Sequence, residues 1–351
     1  MKKVIALVLA LIMVFGLAAC GSKKNETAAW PSGDVTLYFP YDESSLTAVN
    51  ATTMADWINN QTGKKAEVEY NKTASGWNLA EKMLKEDADG LTLMVVGLDA
   101  LTGYIKGDWG SAPFDTTKFQ IVTGFTQPYP YSGCMLITQA DAPYSTWKEL
   151  EAYAKANPDK VNVADRAGSI MTTKLKSLFN QTGLSKYVHW TPATSDSVKT
   201  GIDPANKSIN IAIFDETSAA KYLQQPDKYK AIINCRADND FSYYDPSTNG
   251  LDLIKKVPTL LDVFGKDKAE QYNVPNTTAI ICRAEVPAET VAQIKAVIDK
   301  LGEVEKSDKD DSFYKRQRVN GGTSKYYTWP SADILKEWKR LEPVIREIEG
   351  K

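Results

Sequence analysis

The segment from Asp34 to Gly63 constrains the fold of this chain more than any other stretch of the sequence. Val35 to Phe39 has the composition of a β-strand, a polar loop follows, and from about Leu46 the apolar residues recur with helical spacing. Gly63 stands where a helix commonly ends in a left-handed residue. In open α/β sheets, ligands bind where strands end and helices begin, because unpaired N–H groups there carry partial positive charge. We therefore predict an α/β protein in which this loop forms half of a small-molecule site.

The rest of the chain repeats the alternation of strand and helix. Such alternation is typical of α/β folds with parallel strands. We expect further strands at 66–70, 91–96, 121–125, 134–138, 161–164, 187–190, 209–214, 231–235 and 278–282, and helices at 77–86, 147–156, 217–224, 287–301 and 331–349.

The 351 residues are sufficient for two domains of ordinary size. Two stretches rich in turn-forming residues, 127–133 and 238–248, are the points at which we expect the chain to cross between the domains. We predict that lobe 1 comprises residues 30–130 and 242–351 and that lobe 2 comprises residues 131–241.

A second unit of strand, loop and helix, in lobe 2, repeats the architecture of the first. The apolar strand Val161 to Ala164 leads into the loop Asp165 to Ser169, and an amphipathic helix follows and ends near Gly183. Asp215 comes at the end of another apolar strand, where it either lines a cleft or caps the next helix. These segments predict the other half of the site.

The N-terminus has the form of an export signal. Two lysines precede an apolar run, and small residues lead into Cys20, so residues 1–19 are predicted to be a signal peptide. Leu17 to Cys20 resembles the lipobox of bacterial lipoproteins, which implies that Cys20 is lipidated and that residues 20–29 form a tether. We therefore expect an extracytoplasmic protein anchored to a bacterial membrane through Cys20. The alternative is an ordinary signal peptide followed by an incidental cysteine.

The composition excludes several functional classes. Hydrophobic residues make up 43% and charged residues 25% of the chain, as in soluble globular proteins, and the net charge of −2 without a basic stripe argues against a nucleic-acid partner. Beyond Cys20, three cysteines remain at Cys134, Cys235 and Cys282, which is no disulfide framework. We predict buried free thiols, with a Cys235–Cys282 bridge as the alternative.

The sequence contains none of the common catalytic motifs. His189 is the only histidine and lies in a predicted strand, and we find no Gly-x-Ser-x-Gly elbow, no His-Glu-x-x-His helix and no Cys-x-x-Cys pair. We predict that the chain is not an enzyme and carries no metal or other cofactor. An exported hydrolase is the enzymatic alternative.

Four segments resemble, in order along the chain, segments of the Bug family, the substrate-binding proteins of tripartite tricarboxylate transporters. Trp30 to Tyr41 is similar to the opening of that family, Asp89 to Leu93 to its DGYTL strand, Asn162 to Ala164 to its NYAS strand, and Val257 to Leu260 to its VPTL stretch. The ordered set covers essentially the whole chain after the signal. The resemblance implies a two-lobed periplasmic-binding-protein-like (Venus flytrap) fold, with two mixed sheets joined by crossing strands and closing by hinge motion.

The resemblance also implies a function. Proteins of this family bind small carboxylates and deliver them to a membrane permease, so we expect a carboxylate or amino-acid-like ligand, permease subunits as partners, and a monomeric chain. A lipoprotein that senses a ligand for a signalling partner, with the same fold, is the alternative.

The predicted ligand-binding residues come from the two loops. Where the family has a glycine-rich first loop, this chain has Asp42 and Glu43, whose carboxylates either complement the helix dipole or contact an amine or hydroxyl of the ligand. Arg166 either forms an ion pair or binds a ligand carboxylate in a forked contact, which together with the acids favours a zwitterion. The full set is Tyr41, Asp42, Glu43, Ser44, Ser45 and Thr47 in the first loop, Asp165, Arg166, Gly168, Ser169 and Thr173 in the second, and Asp215.

Overall fold

The computed structural model describes residues 29–41, 43, 48–71, 76–126, 133–166, 169–242, 244, 248–275, 277–303 and 327–351. The predicted signal peptide, Cys20 and residues 20–28 of the predicted tether lie outside the described residues. Among the helices that are described, none is both long enough and apolar enough to cross a membrane.

Strands and helices alternate along the chain, as predicted. The strands are β1 (Val35–Phe39), β2 (Ala66–Tyr70), β3 (Thr92–Gly97), β4 (Phe119–Thr126), β5 (Cys134–Gln139), β6 (Asn162–Asp165), β7 (His189–Pro192), β8 (Ala212–Asp215), β9 (Tyr229–Asn234), β10 (Thr278–Arg283) and β11 (Tyr327–Trp329). The helices are α1 (Ala48–Thr62), α2 (Trp77–Met83), α3 (Leu98–Lys106), α4 (Trp147–Ala156), α5 (Ile170–Gln181), α6 (Ser195–Gly201), α7 (Glu216–Leu223), α8 (Leu251–Ile254), α9 (Leu260–Phe264), α10 (Lys266–Tyr272), α11 (Ala288–Glu303) and α12 (Ser331–Ile348).

Local sequence signals explain several of these boundaries. The Thr146 side chain accepts the Glu149 N–H, and the Glu149 carboxylate accepts the Thr146 N–H, so a capping box starts α4. Gly63 follows α1 with a φ of 66°, the left-handed conformation that glycine adopts at least cost. Two predicted strands start later than expected: β7 starts at His189, because Ser185–Tyr187 forms a 3-10 turn, and β8 starts at Ala212.

The larger sheet is mixed and has the strand order β11-β4-β10-β3-β1-β2. β1 pairs in parallel with β2 and β3, whereas β10 runs antiparallel to β3 and β4. Within this sheet, the expectation of parallel strands therefore holds for the first three strands only. β10 returns the chain to this sheet after β5 to β9 and lies between β3 and β4.

The strands β5 to β9 form a second unit, called the second layer below; the larger sheet with its helices is the first. The second layer contains a three-stranded antiparallel sheet, β8-β5-β9, and the parallel pair β6-β7. A parallel bridge between Val163 and Ile211 joins them, and the Ala164 N–H donates to the Ile211 carbonyl at 3.0 Å. Because Ile211 leads directly into β8, the ends of β6 and β8 lie at the same edge of this layer. The mixed sheets of the predicted fold are thus confirmed.

Helices cover both faces of the larger sheet. On one face, α1 and α11 bury Met54, Ile58 and Ile294, and on the other α3 and α12 bury Leu101 and Trp338. Both faces are therefore apolar, as the solid apolar character of β3 requires.

The second layer has its own cores. Leu175 of α5 and Trp147 of α4 pack on one face, and Val198 and Ala219 on the other. The short helices α8 to α10 also pack here, through Ile254, Leu260 and Ala269, although the sequence placed their residues in lobe 1. The lobe boundaries remain a proposal, and this packing favours a return point near residue 273 over one at 241.

Candidate functional site

The first half of the candidate site lies where β1 and β3 end. These strands are parallel neighbours with Tyr38 opposite Met94, so the residues that follow them meet at one edge of the larger sheet. Tyr41 follows β1, and Asp99 stands in the first turn of α3 after β3. Strand ends of this kind are the usual ligand sites of α/β sheets.

Asp99 and Tyr41 form a polar contact inside this edge. Burial raises the pKa of the Asp99 carboxyl to about 6, against the opposing effect of its own N–H, the Tyr41 hydroxyl and the Ala100 N–H. Burial, with the Asp99 charge, raises the pKa of Tyr41 well above its usual value. The contact lies outside hydrogen-bond geometry, so the Tyr41 hydroxyl is buried without a hydrogen-bond partner among the residues that the structure describes. The pair is therefore able to form a hydrogen bond with a further polar group.

Of the other residues predicted in the first loop, the structure describes Glu43 alone. Glu43 is exposed to solvent. Asp42, Ser44, Ser45 and Thr47 lie outside the described residues. Their roles in ligand binding remain predictions.

The second half of the site lies at the edge where β6 and β8 end and β5 begins. Arg166 directly follows β6, and Asp215, the last residue of β8, is paired with Cys134, the first residue of β5. Ile170, at the start of α5, packs against the core between the larger sheet and α12. The loop after β6 is thus placed at the boundary between the two layers.

Arg166 is partly buried at this boundary. Its backbone N–H donates to the Thr172 hydroxyl at 3.1 Å, and its guanidinium donates to the Ser195 hydroxyl at 3.4 Å. Burial lowers the pKa of Arg166, and the Asp215 charge opposes this effect. Within the described part of the chain Arg166 forms no ion pair with a carboxylate.

Asp215 and Asp165 have structural partners. Asp215 caps α7, since its carboxylate accepts the Ser218 N–H at 2.8 Å and the Thr217 hydroxyl at 2.7 Å. Asp165 forms an ion pair with Lys176 at 2.9 Å. The capping alternative for Asp215 is confirmed, and a contact of either acid with a ligand stays a prediction.

Ser169 and Thr173 stand at the start of α5. Ser169 occupies the N-cap position without a side-chain cap, and its carbonyl accepts the Thr173 N–H at 3.0 Å. Thr173 is 7% exposed. Gly168 lies outside the described residues.

Two charged groups at these edges were not among the predicted site residues. Asp99 was missed because α3 was not predicted. Lys174, in α5, is 3% exposed, and its Nζ is buried without a hydrogen-bond partner among the described residues. Lys174 is three residues after Met171 and four before Leu178, so a lysine on an apolar stripe was the available signal.

A buried polar network lies behind the second edge. Glu216, at 2% exposure, accepts hydrogen bonds from the Asn234 amide at 2.6 Å and from the Tyr244 hydroxyl, and Arg236 lies at 3.4 Å from its carboxylate. Arg236 also pairs with Asp238 at 2.8 Å. The network ties α7 and β9 to the segment that follows β9.

Cys134, Cys235 and Cys282 are buried free thiols, as predicted. Cys282 belongs to the core of the larger sheet and Cys235 to that of the second layer, so the alternative of a bridge between them is wrong. Burial raises the pKa of Cys134 to about 11. His189 is exposed on β7. In the described part of the chain, no three His, Cys, Asp or Glu side chains are grouped so as to hold a metal.

The raised pKa of Asp99 predicts a pH dependence of stability. Between about pH 4 and pH 6 the folded state keeps a proton that the unfolded state has released, so the free energy of unfolding falls as the pH rises through this window and is level above it. Asp99→Asn is expected to remove this slope and to stabilise the protein by about 1–3 kcal/mol at neutral pH. Urea unfolding of both proteins across this window is the measurement.

The control for this prediction is Asp252→Asn, which changes an exposed carboxyl in the first turn of another helix. It should leave the slope in place. A destabilised Asp99→Asn variant, or one with the slope of the unmodified protein, would show that burial of the Asp99 carboxylate does not destabilise the folded protein.

Comparisons with known proteins bear on the fold. No protein-family model and no curated protein matches the sequence. Solved structures do match. A TctC solute binding protein from Polaromonas has a TM-score of 0.66 at 16% identity, over 91% of this chain and 99% of that one. MatC from Rhodopseudomonas palustris with bound malate has a TM-score of 0.57 at 18% identity, over 90% and 100%.

A third match is the periplasmic binding protein BugD, with a TM-score of 0.54 at 16% identity over 91% of this chain and 97% of BugD. At such identities the likeness shows the fold alone. The predicted periplasmic-binding-protein-like fold is confirmed: this chain has the α/β fold of the TctC and Bug solute-binding proteins.

Proposed function

We propose that this protein is an extracytoplasmic solute-binding lipoprotein that captures a small carboxylate between its two layers and delivers it to a tripartite tricarboxylate-type permease. One observation carries the proposal: Arg166 is a partly buried guanidinium without a carboxylate partner in the described structure, at a strand edge of the kind that binds ligands in α/β folds. A guanidinium in this setting binds a carboxylate through charge-assisted, forked hydrogen bonds.

The opposite edge supports the same proposal. The buried Tyr41 hydroxyl has no hydrogen-bond partner in the described part of the chain, and burial disfavours the charged form of the neighbouring Asp99. Unsatisfied polar groups at both edges are characteristic of a site that a polar ligand completes. The bound malate of MatC is a small carboxylate, which makes this ligand class the first to test.

The anchor and the delivery step rest on the sequence. Lipidation at Cys20, the export signal of residues 1–19 and transfer to a permease are part of the proposal, together with lobes divided near residues 130 and 241–273. Hinge closure on the ligand would bring the Tyr41 and Arg166 edges together.

The proposal predicts that a carboxylate stabilises the protein. Thermal unfolding of the purified protein would be measured with acetate, succinate, malate, adipate and glutamate. A ligand at one hundred times its dissociation constant adds about 2.7 kcal/mol to the free energy of unfolding, which moves the midpoint by several degrees. Arg166→Gln should abolish the shift, because it removes the charge that binds the carboxylate.

The matched control is Arg346→Gln, at a guanidinium that pairs with Glu342 on α12. It should retain the full shift. If no compound of the panel raises the midpoint of the unmodified protein, or if Arg166→Gln responds as well as Arg346→Gln does, the proposed function is wrong.

A further inference from the structure

Lys174 occupies a core position on α5. The helix buries Leu175, Leu178 and Phe179, and Lys174 lies on the same stripe with 3% of its surface exposed. Its Nζ has no hydrogen-bond partner among the residues that the structure describes. Lysine is almost never buried this completely without a partner, because an isolated ammonium gives up its hydration and receives nothing in return.

The surroundings of Lys174 place its charge at the edge of the second layer. The ammonium acts electrostatically on the thiol of Cys134, where β5 begins, and on that of Cys235, just after β9. The Arg166 guanidinium acts on the same Cys134 thiol. Met171, one helical turn before Lys174, also contacts this thiol, with its Sδ 3.0 Å from the Cys134 Sγ. The Lys174 and Arg166 cations therefore both lie on the Cys134 side of this edge.

The neighbouring carboxylates do not neutralise Lys174. Asp215 is engaged in capping α7 through the Ser218 N–H, and Glu216 is paired with Arg236. A buried charge without a counter-charge lowers the stability of the fold by on the order of several kcal/mol, which is far more than a charge at the surface does. A chain retains such a group most readily when a bound anion supplies the missing charge.

We propose that Lys174 and Arg166 bind the same carboxylate of the cargo. The inference rests on the proposed function and deepens it, since it assigns the anionic end of the cargo to the second layer. Both contacts are charge-assisted hydrogen bonds, and the low local dielectric strengthens them. The Lys174 ammonium is then compensated only in the bound state.

This assignment predicts opposite effects of Lys174→Met on the free and the bound protein. Methionine fills the apolar position without a charge, so the midpoint of the unliganded protein should rise by a few degrees. The affinity for the carboxylate of the panel that binds the unmodified protein most tightly should fall about 30-fold or more, because truncating one partner of a buried charge pair removes that much binding. Calorimetry and thermal unfolding with acetate, succinate, malate, adipate and glutamate give the two readouts.

Lys155→Met is the control, because Lys155 pairs with Glu151 on α4 and neither residue belongs to the candidate site. It should bind the carboxylate as the unmodified protein does and should not be stabilised. If Lys174→Met keeps its affinity, or if its unliganded midpoint falls below that of Lys155→Met, the Lys174 assignment is wrong while the proposed function stands. If none of the five anions stabilises the unmodified protein, both the Lys174 assignment and the proposed function are wrong.

Discussion

Replacing Arg236 with methionine is expected to lower the free energy of unfolding by about 3–5 kcal/mol, the usual cost of breaking a buried ion pair. Arg236 is fully buried, and its guanidinium lies at 3.4 Å from Glu216 and at 2.8 Å from Asp238. Without it, Glu216 keeps the hydrogen bond from Asn234 but loses its counter-charge. Guanidinium chloride unfolding followed by circular dichroism measures the loss.

A double-mutant cycle separates this pairing from the packing of the side chain. Glu216→Gln keeps the shape of the side chain and removes its charge. Combined with Arg236→Met, it should recover part of the lost stability, because no uncompensated carboxylate remains. Strict additivity of the two single changes would mean that the two residues do not stabilise each other.

Trp338→Ala is expected to destabilise the protein by about 3–5 kcal/mol, as large-to-small changes of buried aromatic residues do. Trp338 is fully buried in α12, packs near Phe114 with ring centroids 6.3 Å apart, and donates its indole N–H to the Thr277 hydroxyl at 2.7 Å. The residue therefore fixes α12 on the larger sheet at the start of β10. Urea unfolding gives the change in free energy.

Trp338→Phe tests the cause of that loss. Phenylalanine retains most of the apolar contact and loses the hydrogen bond, so the cost should be clearly smaller than that of alanine. An alanine variant within about 1 kcal/mol of the unmodified protein would contradict the packing described for α12.

Much of the fold follows from local sequence signals. The strand–loop–helix of Val35 to Gly63 and the helix Trp147–Ala156 depend on neighbouring residues, and both were predicted. The helix Leu98–Lys106 was not, because it continues the apolar run of β3 and one unbroken run hides the change from strand to helix. For that reason, Asp99 was not among the predicted site residues.

The candidate site could be predicted only in part, because its halves are formed by pairing between distant segments. Arg166 was predicted from its loop. The contact of Tyr41 with Asp99 depends on β1 pairing with β3, and the approach of Lys174 and Arg166 to Cys134 depends on the bridge between β6 and the start of β8. No local pattern encodes those pairings. Lys174 was nevertheless detectable as a lysine on an apolar stripe.

The helices α8 to α10 show a second limit of prediction from the sequence. Their residues were assigned to lobe 1 from a turn-rich stretch at 238–248, whereas Leu260 and Ala269 pack on the second layer. Composition marks where a chain turns, but it does not show which core an amphipathic segment covers next.

Hydrogen exchange with and without the carboxylate that gives the largest thermal shift tests the central claim most directly. We predict slower exchange at both edges, in the segments around Tyr41 and Asp99 and in those around Arg166 and Asp215, because one ligand contacts both layers. Protection confined to one edge, or none at either, would contradict binding between the two layers.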